Sequence, residues 1–505
     1  TDSLHSAGRI LLNPNTLSKD GTVALSRWSV SDDGKHLAYS TSAAGSDWQE
    51  WRVRNVDTGR NLGDRLNWVK FSGAAWRRDG SGFYYSRYDA PKSGKKMSGI
   101  NLNQKLYFHR LGTSQSTDDL VYHNPDNPKW GYGASVTEDD RYLIITIWQG
   151  TDRRNRVYYR DLRSEDAKVV KLFDKFDADY SFIGNDGKMF YFRTDLDAPR
   201  GRVIAVEVGK PDKIKEIIPQ ADETLRWASH LNNQLIANYL KDAHSQVKVF
   251  SLDGKMEREI SLPGIGSASG FRGRSDASET FYSFRSFTDP GTIHQLDLKT
   301  GKGSVFRKPE VDFNPADYIT RQVFYISRDG TRVPMFITHK RGLARDGSHP
   351  CLLYGYGGFN ISLTPSFSVQ NLVWMELGGV YAVPNLRGGG EYGEDWHEAG
   401  MKLNKQNVFD DFIAAAEWLQ ANLYTRTDRL AIAGGSNGGL LVGACVTQRP
   451  ELFGATLPAV GVMDMLRFHK FTIGWAWTSD FGSPDDKEEF KALRAYSPYH
   501  NLKDG

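Results

Sequence analysis

The feature that most constrains how this chain folds is a serine flanked by glycines at residues 434–439. The run Gly-Gly-Ser-Asn-Gly-Gly follows a short apolar segment ending at Ala433 and precedes a helix-like segment, 440–448, that stops before Pro450. Glycine lets backbone approach backbone closely and tolerates strained conformations. A strand, a tight turn and a helix therefore predict a nucleophile elbow that raises the Ser436 hydroxyl above a sheet. A glycine-rich turn with an incidental serine is the competing interpretation, and the flanking segments favour the elbow.

Composition excludes several functional classes. The chain has 505 residues, too many for one core, so we expect two or more domains. Lys and Arg total 64 and Asp and Glu total 61, which gives a net charge of +3. A balance this close to neutral does not indicate a nucleic-acid-binding protein. No apolar run approaches 18 residues, so no membrane span is expected. No C-x-x-C or H-E-x-x-H pattern suggests a metal, and we expect no cofactor.

The number and surroundings of the cysteines indicate the redox state of the cellular compartment. Cys351 and Cys445 are the only two, and both lie in apolar segments. This usage fits a reducing compartment, so we expect a cytoplasmic protein. The chain starts at Thr1 without a visible signal peptide, so a periplasmic or secreted location stays open if a leader was removed.

The first 315 residues carry a repeat of short strands. Turn pairs begin at residues 33, 79, 139, 186 and 232, in steps of 46, 60, 47 and 46, and a further copy begins near residue 276. An aromatic or β-branched run follows each turn. A repeat of this length holding about four strands is typical of a β-propeller blade, and about six blades are visible. An array of β-sandwiches is the alternative, which the near-constant period disfavours. The long step contains an insertion at about 87–103, rich in Lys, Ser and Gly, which we interpret as a mobile loop.

From residue 316 to 505 the pattern changes to alternating strands and helices. A hairpin is predicted over 322–339, followed by buried strands at 351–354, 380–383 and 430–433. An amphipathic helix is predicted over 407–422, with Asp410 and Asp411 in its first turn. This alternation predicts a mostly parallel sheet with helices on both faces, which together with the elbow indicates an α/β-hydrolase domain. The glycine-rich loop at 354–359 is where such domains form part of an oxyanion hole. By default we assign Arg387 a structural role.

Five motifs together resemble the prolyl oligopeptidase family. They are Tyr-Gly-Tyr-Gly-Gly-Phe-Asn-Ile-Ser (354–362), Arg-Gly-Gly-Gly-Glu-Tyr-Gly (387–393), Gly-Gly-Ser-Asn-Gly-Gly-Leu-Leu (434–441), Gly-Val-Met-Asp-Met-Leu-Arg-Phe-His-Lys (461–470) and Tyr-Ser-Pro-Tyr-His-Asn (496–501). The resemblance runs almost unbroken from about 320 to 505. It implies a serine endopeptidase that cleaves short peptides after proline, with a seven-bladed propeller covering the hydrolase domain. Proline-containing peptides would be its partners, and a monomer is compatible with such a shell.

The resemblance also implies roles for individual residues. Ser436 would be the nucleophile, and Tyr356 would donate its phenol to the oxyanion beside the Asn437 N–H. Trp477 would stack on the substrate proline, because proline lacks an N–H and must be recognised through its ring. Phe359 and Val462 would line the same pocket. Phe481 stands where family members usually carry tyrosine, so this pocket wall loses a hydroxyl.

The base and its carboxylate are not identified. The family places both after the segment that ends at residue 505, and only 69 residues follow Ser436. His469, His500, Asp464 and Asp480 are poor candidates, because the family gives those positions no catalytic role. We expect a chain that is incomplete at both ends, with a first blade that is also incomplete. A truncated peptide-binding module and a related oligopeptidase with another residue preference are the alternatives. The propeller would act as a gate that admits short peptides.

Overall fold

The structure is a computed structural model that describes residues 6, 8–94, 96, 99–164 and 166–504. It groups them into two compact units, Thr1–Tyr180 with Asn185–Lys188 and Phe471–Ile473, and Ser181–Gly184 with Met189–Lys470 and Gly474–Gly505. Among the described residues, no helix is both long and apolar enough to span a membrane. The predicted domain boundary at 315/316 stays a prediction.

The described part of the N-terminal half contains six four-stranded sheets, each an antiparallel meander of consecutive strands. The first three are β1 (Val23–Val30), β2 (His36–Ala43), β3 (Gln49–Asn55), β4 (Asn61–Val69); β5 (Ala75–Trp76), β6 (Gly82–Arg87), β7 (Lys105–Arg110), β8 (Asp119–Tyr122); and β9 (Trp130–Val136), β10 (Tyr142–Gln149), β11 (Arg156–Asp161), β12 (Val170–Phe173). The next three are β13 (Tyr180–Asp186), β14 (Met189–Thr194), β15 (Arg202–Glu207), β16 (Ile214–Ile218); β17 (Thr224–Leu231), β18 (Gln234–Lys241), β19 (His244–Ser251), β20 (Met256–Ile260); and β21 (Ser267–Arg272), β22 (Glu279–Arg285), β23 (Thr292–Asp297), β24 (Gly303–Arg307). This is the strand pattern of propeller blades.

Each turn pair of the sequence repeat joins the first and second strands of one sheet. Gly34, Gly80 and Gly187 all have positive φ in these turns, as does Asn232. Such turns need residues that tolerate left-handed backbone, which is why Gly, Asn and Asp recur there. In the predicted loop at 87–103, residues 95, 97 and 98 lie outside the described residues. The described residues between β6 and β7 form neither helix nor strand, and the mobility of this loop stays a prediction.

A fully buried histidine links two strands of the first unit. His109 on β7 lies 2.8 Å from Asp64 Oδ1 through Nε2 and 2.7 Å from Asp118 Oδ1 through Nδ1. Burial alone would lower the pKa of His109, but the hydrogen bonds to Asp118 and Asp64 outweigh it and raise that pKa to about 9. The side chain is therefore a buried imidazolium at neutral pH.

The C-terminal half contains a six-stranded sheet in the order β25-β26-β28-β27-β29-β30. Its strands are β25 (Tyr318–Ile326), β26 (Arg332–Lys340), β27 (Cys351–Tyr354), β28 (Val380–Pro384), β29 (Leu430–Gly435) and β30 (Ala455–Ala459). The β25–β26 hairpin is antiparallel, β26 pairs antiparallel with β28, and the pairs from β28 to β30 are parallel. The predicted hairpin and the three predicted buried strands are all present.

The α-helices of the described residues are α1 (Val369–Glu376), α2 (Glu394–Glu398), α3 (Gln406–Ala421), α4 (Asn437–Gln448), α5 (Thr478–Phe481), α6 (Lys487–Tyr496) and α7 (Pro498–Asn501). Of these, α1, α3 and α4 pack against strands of this sheet. Short 3-10 helices cover Pro14–Thr16, Gln115–Thr117, Pro315–Asp317, Lys402–Asn404, Thr427–Arg429, Pro450–Leu452, Phe468–Lys470 and Gly474–Trp477. The predicted apolar face of α3 is buried. The expectation that Asp410 and Asp411 lie in the first turn of α3 was wrong, because the helix begins at Gln406 and its first turn carries no acidic residue.

Candidate active site

Ser436 occupies the turn between β29 and α4, as an elbow requires. Its backbone has φ 57° and ψ −116°, a sparsely populated conformation for a residue with a side chain. A backbone conformation of this kind costs about 1–3 kcal/mol, and the strand and helix on either side keep Ser436 in it. The Ser436 N–H donates to the carbonyl of Ala459 on the neighbouring strand β30 at 2.9 Å. Ser436 itself is exposed although α4 is buried from its first residue.

The glycines of the elbow lie where backbone segments cross. A Cβ on Gly434 would lie 2.3 Å from the carbonyl oxygen of Gly438 and 2.8 Å from that of Gly355. A Cβ on Gly438 would lie 2.5 Å from the Gly355 oxygen. Because the obstructing atoms are backbone, no side-chain rotation relieves these contacts. The turn therefore closes against the end of β27 only with glycine at both positions.

Two hydrogen-bond donors flank the serine. Burial raises the pKa of the Tyr356 phenol, and its side-chain hydrogen bond with Ser436 opposes that shift. The phenol is thus protonated at neutral pH and within reach of the nucleophile. Asn437 is the first residue of α4, and N–H groups at a helix start have no intrahelical acceptor. The Tyr356 hydroxyl and the Asn437 N–H together can stabilise an oxyanion formed on a carbonyl attacked by Ser436.

The residues predicted to hold the proline belong to one aromatic cluster. Phe359, Val462 and Trp477 are partly buried against the core that contains Phe481. The Phe481 ring is 1% exposed and meets the Phe359 ring edge-on at 5.1 Å. Trp477 stacks on Phe468 with ring centroids 6.4 Å apart. Trp477 and Phe359 are both half-buried, whereas Phe481 is buried.

A buried polar cluster that the sequence analysis missed lies behind the Tyr356 loop. It consists of Lys405, Asp480, His397 and the side chain of Asn437. Asp480 was considered only as a triad carboxylate, and nothing in the local sequence marks Lys405 or His397. They come from separate segments that meet only in the folded chain, so no spacing rule could have found them.

The remaining polar candidates have structural partners. Arg387 is buried and pairs with Asp411 at 2.6 Å, which agrees with its default structural role. His500 Nδ1 lies 2.8 Å from the hydroxyl of Ser497. Asp464 pairs with Arg467. None of these contacts identifies Arg387, His500 or Asp464 as the general base for Ser436.

Comparisons with known proteins agree with this architecture. The family model described as "Prolyl oligopeptidase, N-terminal beta-propeller domain" matches residues 1–309. A second model, described as "Prolyl oligopeptidase family", matches residues 365–504. The predicted combination of a β-propeller with an α/β-hydrolase domain is confirmed, and the seven-blade number stays a prediction.

Relatives match over nearly the whole chain. A prolyl endopeptidase of Elizabethkingia miricola is 45% identical over 499 residues, which are 98% of this chain and 70% of that protein. Prolyl oligopeptidase A of Galerina marginata is 40% identical over 525 residues, covering 98% of this chain and 71% of the relative. A solved structure of prolyl oligopeptidase B from Galerina marginata, bound to a 25-mer macrocyclization substrate, superposes with a TM-score of 0.93 at 35% identity, covering 97% of this chain and 71% of that one. On the sequence motifs, the fold and these matches, the chain belongs to the prolyl oligopeptidase family.

Proposed function

We propose that this chain forms the nucleophile, oxyanion and proline-binding parts of a serine endopeptidase that cleaves short peptides on the carboxyl side of proline. The observation that carries the proposal is the exposed Ser436, in a strained turn, hydrogen-bonded to the half-buried phenol of Tyr356. The relatives named prolyl endopeptidase support the substrate class.

In this mechanism the Ser436 Oγ attacks the carbonyl carbon of the proline residue. The carbonyl π electrons move to oxygen, where Tyr356 Oη–H and the Asn437 N–H stabilise the negative charge. The C–N bond then breaks, and the leaving amine takes the proton that a general base removed from the serine. Water hydrolyses the resulting ester and frees the acid. From the family resemblance we propose that the base and its carboxylate are a His and an Asp that follow residue 505.

Specificity in this proposal comes from the ring of Trp477. Proline has no N–H to pair with the protein, so the pocket recognises the flat, apolar face of its ring. Phe359 and Val462 enclose the sides. Phe481 contributes packing without the hydroxyl that family members usually have there, so recognition rests on shape and apolar contact. Gating by the propeller stays a prediction.

The cellular compartment and the oligomeric state of the protein are also part of the proposal. We propose a cytoplasmic monomer that acts on proline-containing peptides. Cys351 and Cys445 are buried and unpaired, and such free thiols suit a reducing compartment.

A fluorophosphonate probe tests the proposal in the full-length protein. We expect covalent labelling of Ser436, none in Ser436→Ala, and normal labelling in Ser348→Ala, because Ser348 is exposed but lies outside the elbow. Peptides that differ only in proline, alanine or arginine before the scissile bond then separate the prolyl activity from other oligopeptidase preferences. Absence of labelling at Ser436 in the wild type would leave a peptide-binding module as the better description.

A further inference from the structure

A buried ammonium group connects the two halves of the oxyanion site. Lys405 lies just before α3, and its side chain is 1% exposed. Its Nζ donates to the carbonyl of Gly357 at 2.9 Å and to Asn437 Oδ1 at 3.1 Å. It also lies 3.6 Å from Asp480 Oδ1. One cation therefore touches the loop that carries Tyr356 and the residue that follows Ser436.

Other members of the cluster fix the same loop at neighbouring backbone positions. Asn437 Nδ2 donates to the Tyr356 carbonyl at 2.6 Å. Asp480 Oδ2 accepts the N–H of Phe359 at 2.8 Å. The backbone of residues 356, 357 and 359 is thus held by three side chains of one cluster. The same short loop presents the Tyr356 phenol to the oxyanion and the Phe359 ring to the substrate pocket.

Each basic group of the cluster lies beside a carboxylate, and Glu394 adds a second carboxylate next to His397. Asp480 Oδ2 also contacts His397 Nε2 at 2.9 Å, and His397 Nδ1 lies 3.3 Å from Glu394 Oε1. Burial would lower the pKa of His397, yet the hydrogen bonds to Asp480 and Glu394 raise it to about 9. Burial lowers the pKa of Lys405 against the opposing effect of Asp480. Burial would raise the pKa of Asp480, but Lys405 and His397 hold it below its usual value.

A role of Lys405 in stability alone does not account for its hydrogen bonds to the Gly357 carbonyl and Asn437 Oδ1. Replacing a whole buried ion pair by apolar side chains of similar volume is often neutral or stabilising, so the pairing of Lys405 with Asp480 is weak evidence that the lysine is there for stability alone. A methionine would fill much of the same space. What methionine lacks is a donor for the Gly357 carbonyl and Asn437 Oδ1, the two contacts through which Lys405 joins the Tyr356 loop to Asn437.

We propose that Lys405, supported by Asp480 and His397, is a positioning residue that holds the Tyr356 loop and Asn437 so that both oxyanion donors converge on one oxygen. The proposal rests on the proposed function. It assigns Lys405 no contact with substrate. Its effect is transmitted through the Gly357 carbonyl and the Asn437 side chain.

The test is Lys405→Met in the full-length protein, with Lys402→Met as the matched control three residues earlier. Because a misplacement of about 1 Å can cost about 100-fold in rate, we expect kcat to fall about 10- to 100-fold with KM changed less than about twofold. Affinity for a peptide ending in prolinal, which forms a hemiacetal on Ser436, should fall in parallel, while affinity for the product peptide should not. The loss should also shrink in a Tyr356→Phe background, because the donor being positioned is then absent.

The outcomes separate the two proposals. A folded Lys405→Met variant with wild-type kcat overturns the positioning role and leaves the peptidase assignment intact. Full additivity with Tyr356→Phe also overturns it. A wild type that neither labels with fluorophosphonate nor cleaves peptides overturns the proposed function itself. If circular dichroism shows Lys405→Met to be unfolded, Asp480→Asn takes its place. It retains an acceptor for the Phe359 N–H and removes the charge, so unchanged kcat in that variant refutes the proposal.

Discussion

Two adjacent glycines of the elbow should respond oppositely to the same substitution. An added Cβ on Gly434 would lie 2.3 Å from the Gly438 oxygen, whereas non-bonded heavy atoms are best separated by about 3.5–4.0 Å. The Cβ must therefore move by about 1 Å or push α4 away from β27. On Gly435 the nearest atom would be the Ala459 oxygen at 4.0 Å, an ordinary contact, and the residue has no positive φ.

These distances set the expected magnitudes. Overpacking of this kind costs about 1–3 kcal/mol, and more where backbone must shift, so Gly434→Ala should lower Tm by about 1–2 °C per kcal/mol in a unit of this size. Displacing the elbow by about 1 Å should slow labelling of Ser436 about 100-fold. Gly435→Ala should keep the labelling rate within about twofold and raise stability by up to about 1 kcal/mol, because alanine has less backbone entropy to lose in a strand.

The assay combines fluorophosphonate labelling rates with thermal unfolding of both variants. Wild-type labelling and stability in Gly434→Ala would refute the inference that backbone crossing dictates this glycine. A Gly435→Ala variant that folds normally but no longer labels would show that its Cβ enters the reaction space, contrary to the open surroundings found here. Equal damage in both variants would likewise contradict the argument.

Three further changes probe separate parts of the molecule. Tyr356→Phe removes one proposed oxyanion donor and should lower kcat about 10²–10³-fold with little change in KM; unchanged turnover would exclude Tyr356 from the mechanism. Trp477→Ala removes about 0.5–1.5 kcal/mol of ring stacking and should reduce the preference for proline over alanine about 2- to 10-fold in kcat/KM, so an unaltered ratio would place the recognition elsewhere. His109 has a pKa raised to about 9, so its stabilisation is complete below pH 6.5 and is lost as the pH rises through about 9, an effect on the order of 3 kcal/mol. Urea unfolding at pH 6 and pH 9.5 should show this loss in the wild type but not in His109→Gln, and an identical loss in both would assign it to other groups.

The sheets were predictable because their signals are local. A turn that needs left-handed backbone selects Gly, Asn or Asp wherever it occurs, so the repeated pairs at residues 33, 79, 139 and 186 located the same hairpin in four successive sheets. The start of α3 was less predictable. The carboxylate of Asp410 suggested that the helix begins close to that residue, but the helix begins four residues earlier, at Gln406. A carboxylate near a helix start favours the first turn without determining where that turn lies.

In the candidate site, too, only the features with a local sequence signal could be predicted. The elbow could be predicted because its glycines, its serine and the flanking segments are contiguous. The cluster behind the oxyanion loop could not, because Lys405 meets Gly357 across 48 residues and Asp480 meets Phe359 across 121. Each is an ordinary charged residue in its own segment, and only the fold shows that it is buried and which backbone groups it contacts.

The two halves of the site therefore depend on different physical constraints. The elbow is held by excluded volume, since Gly434 and Gly438 face backbone atoms that cannot rotate away. The Tyr356 loop is held by polar contacts from Lys405 and Asp480, and these contacts resist disruption because burial shields them from solvent and salt. Steric changes at the elbow should accordingly reduce stability and reactivity together, because the same close packing serves both. Removing one charge of the cluster should reduce turnover and also cost about 3–5 kcal/mol of stability, because it leaves buried partners without their counter-charge and hydrogen bonds. The role of the cluster is therefore tested by how its effect on kcat couples to Tyr356, and not by stability.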